Sequence, residues 1–128
     1  MKIEEKKPPR VYEAGFEDKE TISDCGNITL APDEQVTFLT ESGGEYDVTR
    51  KSWGFYASPS TNGRLARFGL RAVLAGNRLG RCFVLLVEKG HEDEFQKYIV
   101  KEKMYIISWL DNDECISKLQ NMVDKKGN

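Results

Sequence analysis

A chain of 128 residues with a net charge of −2 is long enough for one hydrophobic core and too short for two. At this length folding buries well over half of the surface the unfolded chain exposes, so neither a metal nor a disulfide is needed for stability. The longest apolar run, Cys82 to Val87, falls far short of the roughly 20 residues of a membrane helix.

The polar, proline-containing start resembles neither a signal peptide nor an anchor, so a cytoplasmic protein without a membrane span is expected. Cys25, Cys82 and Cys115 are widely spaced, and the single histidine, His91, lies nine residues beyond the nearest of them and opens a charged run. Free thiols, no metal and no cofactor are the expectation.

Residues 1–10, rich in charge and proline, read as a disordered arm; residues 11–124 as a single α+β domain; residues 125–128 as a disordered tail. Val11 to Asp24 shows no clear period and is either irregular or a short edge strand. From Asn27 the alternation of Ile28 with Leu30, then of Val36 with Phe38, predicts two short strands joined at Pro32-Asp33-Glu34. Ser42-Gly43-Gly44 supplies the positive φ of a tight hairpin, and Tyr46 and Val48 resume the alternation beyond it. Trp53 to Ala57 predicts another strand, and Arg64 to Phe68 a short helical turn.

Leu70–Leu74 and Arg81–Val87 predict a second hairpin around the loop Gly76 to Gly80. The second of these runs is almost continuously apolar, as suits a central strand buried on both faces. After Gly90 the period becomes helical: Phe95, Tyr98 and Ile99 face inward, with acids in the first turn and lysines in the last. Met104 to Leu110 predicts a final strand. Asp111, three residues before Glu114, opens a second helix whose Ile116 and Leu119 pack on the sheet, and Ile107 and Trp109 share one face of the strand before it. The architecture expected is α+β: a mostly antiparallel sheet of six or seven strands with two C-terminal amphipathic helices.

The sign of the charges is the most informative feature. From Val48 to Val87 there are seven basic residues (Arg50, Lys51, Arg64, Arg67, Arg71, Arg78, Arg81) and no acid, so everything outside that segment carries −9. Arginine's planar fork suits phosphate or carboxylate, which points to an anion-binding face. The competing reading is that these bases pair with the acidic flanks. Within the segment Arg50, Lys51, Trp53, Tyr56, Asn62, Arg64 and Arg67 combine charge for an anion, aromatic faces for a ring and an amide for hydroxyls. They are the candidate ligand-binding residues; the same aromatics also serve as ordinary strand core.

The run Asp47-Val48 through Arg50-Lys51, Trp53-Gly54-Phe55-Tyr56-Ala57, Pro59-Ser60 and Asn62-Gly63-Arg64-Leu65, with Leu85, Val87-Glu88-Lys89 and Trp109-Leu110-Asp111 downstream, resembles small bacterial proteins found among genes for surface-polysaccharide synthesis. The resemblance covers roughly residues 24 to 113. It implies a setting and transfers no catalytic residue.

Three functions follow as expectations. The first is a non-catalytic accessory or binding protein of surface-glycan synthesis, holding an anionic sugar phosphate or nucleotide sugar, or a partner enzyme. The second is a nucleic-acid binder stacking bases on Trp53, Phe55 and Tyr56, against which the acidic flanks weigh. The third is a small carbohydrate-active enzyme with Asp47 or Glu88 as acid/base; no pair of carboxylates at a telling spacing supports it.

Overall fold

A computed structural model describes residues 1–125. Its order is β1 (Lys2–Ala14), β2 (Glu20–Thr29), β3 (Gln35–Leu39), β4 (Glu45–Lys51), β5 (Gly54–Ser58), a 3-10 turn (Arg64–Phe68), β6 (Leu70–Asn77), β7 (Cys82–Glu88), α1 (Glu92–Lys101), β8 (Met104–Trp109) and α2 (Asp113–Lys125). The fold is α+β, with all strands antiparallel and both helices C-terminal. The eight strands form three sheets, ordered β1-β2, β3-β4-β5 and β7-β6-β8.

Residues 1–10, expected to be a disordered arm, are instead most of β1. Cross-strand charge holds them: Asp24 of β2 takes Lys6 Nζ at 2.5 Å and Arg10 Nε at 3.2 Å, while Ile3 faces Ile28 and Tyr12 faces Ile22. The hydrogen bond from Lys6 does most to hold the Asp24 carboxyl below its ordinary value. Of the expected C-terminal tail, Lys125 closes α2, and 126–128 lie outside the described residues.

The β3–β4 hairpin forms as its glycines predict, with Gly43 at φ +105 and Thr40 N–H bonded to the Gly44 carbonyl at 2.9 Å. The strand period of two puts Val36, Phe38, Tyr46, Val48, Arg50 and Phe55 on one face of this sheet, and Thr37, Asp47, Thr49 and Tyr56 on the other.

The third sheet departs from expectation in one respect: its central strand is β6, not β7. Leu70, Ala72, Val73, Ala75 and Gly76 of β6 are buried, the small ones because elements close down on both faces. Leu65 of the 3-10 turn packs with Leu70, Ala72, Tyr46 and Leu110 on one face. On the other, Phe95 of α1 meets Trp109 edge-on at 5.8 Å between ring centres. A register slip between Leu74 and Ala75 leaves Ile107 as the extra residue of β8, so Ile107 and Trp109 end on opposite faces rather than on one. The cap of α2 is Asn112, whose Oδ1 accepts the Glu114 N–H at 2.8 Å. Asp111 is engaged by Arg71 instead, and Leu119 is 42% exposed rather than packed on the sheet.

Candidate functional site

Strand alternation scatters the residues that the sequence places together. Arg50 lies on the apolar face of its sheet, opposite Phe55, with Nη1 buried and without a partner. Lys51 is on the other face with Tyr56, and its ammonium is bound to Asp33 at 2.5 Å. Trp53, 70% exposed, sits in the β4–β5 turn. Asn62, Arg64 and Arg67 are exposed around the 3-10 turn, which packs through Leu65 at the Tyr46 end of β4; a strand of that length spans roughly 20 Å, so Trp53 and Arg64 do not meet. Arg64 leans on the Phe68 ring at 5.8 Å.

Arg71 is a structural residue. Its Nε bonds Asp111 at 2.6 Å, Nη1 reaches Glu92 at 3.4 Å, and the guanidinium stacks on Trp109 at 4.0 Å. The Asp111 hydrogen bond raises its pKa. Arg78 and Arg81 lie at the far end of β6, roughly 25 Å from the 3-10 turn. Internal pairing therefore accounts for Lys51 and Arg71, whereas Arg50, Arg64, Arg67, Arg78 and Arg81 have no carboxylate within ion-pair distance among the described residues.

A hollow lies at that far end, where the β1–β2 loop folds over the β6–β7 turn and the end of α1. It is a cavity of about 330 Å³ lined by Phe16, Ile22, Arg78, Phe83, Tyr98 and Met104 among others. Gly15, at φ +123, turns the loop inward, and Phe16 N–H donates to Glu102 Oε2 at 2.6 Å. The Phe16 ring carries two cations, the Arg78 guanidinium at 5.7 Å and the Lys103 ammonium at 5.8 Å. Asn77 Oδ1 accepts N–H bonds from Leu79 at 3.0 Å and Arg81 at 3.1 Å, which fixes the turn that projects Arg78.

The carboxylates around the cavity are already engaged: Glu17 with Lys103 at 3.3 Å, Glu20 with Lys101 at 2.5 Å, Glu102 with the Phe16 amide. The fork of Arg78 has no carboxylate within ion-pair distance among the described residues. Phe16 and Arg78 are 62 positions apart in sequence, so no linear motif joins them. The only local signals are an apolar residue stranded among acids and an arginine at a glycine-bounded turn.

For the carboxylates considered as acid/base, Asp47 accepts a bond from Thr37 at 2.6 Å. Glu88 accepts from Ser42, which holds its carboxyl below the ordinary value, the reverse of what a general acid requires. Among the described residues no three His, Cys, Asp or Glu side chains cluster as a metal site would need, and no helix is long and apolar enough to cross a membrane. Comparison of the chain with protein families, with curated proteins and with solved structures found no match in any of the three.

Proposed function

We propose that this chain is a non-catalytic binding protein of bacterial surface-glycan synthesis that holds a compact anionic ligand, a sugar phosphate, in the Phe16–Arg78 cavity. The observation that carries the reading is a guanidinium without a carboxylate partner stacked on an aromatic ring at the edge of a mostly apolar hollow. Such a place offers a two-point contact for phosphate and a flat apolar surface for a ring. A volume of about 330 Å³ is at the small end for ligand cavities, which favours a monosaccharide phosphate over a nucleotide sugar. The glycan setting rests on the resemblance alone. Against the nucleic-acid alternative, the unpaired bases are divided among β4, the 3-10 turn and the far end of β6, and form no continuous stripe along which a phosphate backbone could run.

Calorimetric titration with a series of sugar phosphates and inorganic phosphate tests the reading. Arg78→Ala removes a charge-assisted hydrogen bond and should weaken binding roughly 10- to 150-fold at unchanged melting temperature. Arg64→Ala should leave the affinity as it is. The opposite pattern would move the site to the β5–Phe68 segment.

A further inference from the structure

Natural folds protect their sheet edges, because an unpaired strand offers a row of backbone donors and acceptors to any other strand. Among the described residues the edges differ in how much of such protection they carry. β1 bears charges along most of its length and includes Pro8 and Pro9, and β2 carries Glu20 and Asp24. β3 and β5 are five residues long. β8 has the bulge at Ile107. β7 has the least of this: it is seven residues long, free of proline and charged only at its last residue, Glu88, and among the described residues it pairs only with β6.

Its composition suits a strand covered on both faces, yet Val84 is 64% exposed, and Leu86, Tyr105 and Ile107 on the same face of the sheet are open to solvent. Area points the same way. The chain exposes 9376 Å², whereas monomeric proteins of 14.6 kDa expose about 6,900 Å². The difference, about 2,500 Å² over the whole chain, leaves room for the roughly 800 Å² that each partner contributes to a stable interface.

We propose that β7 pairs antiparallel with β7 of a second copy about a two-fold axis, joining two three-stranded sheets into one continuous sheet. A second copy is the occupant because antiparallel self-pairing lets one edge complete its own twin, and the assembly closes at two with no free β7 edge left. The axis stands normal to the sheet, so Val84 and Leu86 of both copies meet on one face. The antiparallel sense also carries each Arg81, at the head of β7, toward the other copy's Glu88 end and away from the second Arg81. On the α1 face the joint runs beside Phe83, a wall of the cavity. The proposal rests on edge and area and is independent of the ligand.

Light scattering on the full chain should give twice 14.6 kDa. Val84→Lys, at an exposed position, should halve that mass with an unchanged circular dichroism spectrum; Val100→Lys, on the exposed side of α1, should leave the dimer intact. Hydrogen exchange on the unmodified chain provides the second measurement, the outward-facing amides of β7 being protected at high concentration and released on dilution. A monomeric mass, freely exchanging β7 amides, or a dimer that survives Val84→Lys and is lost in Leu119→Lys would each overturn the proposal, as would capture of a partner enzyme at β7 by a chain that is itself monomeric.

Discussion

Arg71 stands in the middle of the acid-free segment and yet is the base most fully used by the fold. It ties β6 to Asp111 before α2 and to Glu92 at the start of α1, and it covers the Trp109 ring. A hydrogen-bonded charge and a cation on a ring contribute about 2–4 kcal/mol together, so Arg71→Ala should lower the unfolding free energy in urea by that amount. A loss below about 0.5 kcal/mol would mean that the contacts are a surface ion pair of little weight. Sequence reading groups Arg71 with its neighbours because it sees charge and not direction. Arg50 and Lys51 show the same limit: adjacent in sequence, they point to opposite faces of one strand and cannot grip one ligand. Arg78, which linear reading leaves in an ordinary turn, acquires its surroundings from Phe16, brought in by another hairpin.

At the level of elements, most of the chain from Val36 onward is legible, because Val36, Phe38, Tyr46 and Val48 alternate cleanly and Gly43 marks the turn between them. The helix pattern of Phe95 and Ile99 is equally direct. What is not legible is β1, whose lysines and glutamates look like solvated chain until Asp24 is set opposite Lys6 and Arg10. Nor is the order of strands: β7 is the more apolar, but β6, with Ala72, Ala75 and Gly76, is the one that can be approached closely from both faces. The Asp24 carboxyl titrates below its ordinary 3.8 because its charged form is bonded. Its contribution is therefore complete above that value and is lost as pH falls through the depressed one. Asp24→Asn imitates the protonated state at neutral pH, and amide exchange should then quicken through Lys2–Ala14 while β6 stays protected. Equal quickening in β6 would show that the hairpin and the central sheet open as one unit.

Taken whole, the molecule has a small buried core, Leu65, Leu70, Ala72, Val73, Ala75, Val87 and Ile99, and many large apolar side chains exposed at its surface. The ligand site proposed above is the cavity under the β1–β2 loop, at the opposite end of β6 from the segment that the sequence favours. Resonance mapping tests this assignment most directly. In ¹⁵N-labelled protein titrated with a monosaccharide phosphate, the amides of Phe16, Arg78, Leu79 and Lys103 should shift together and saturate, while those of Trp53, Tyr56, Asn62 and Arg64 stay in place. Shifts confined to the second group, with the cavity amides silent, would contradict it.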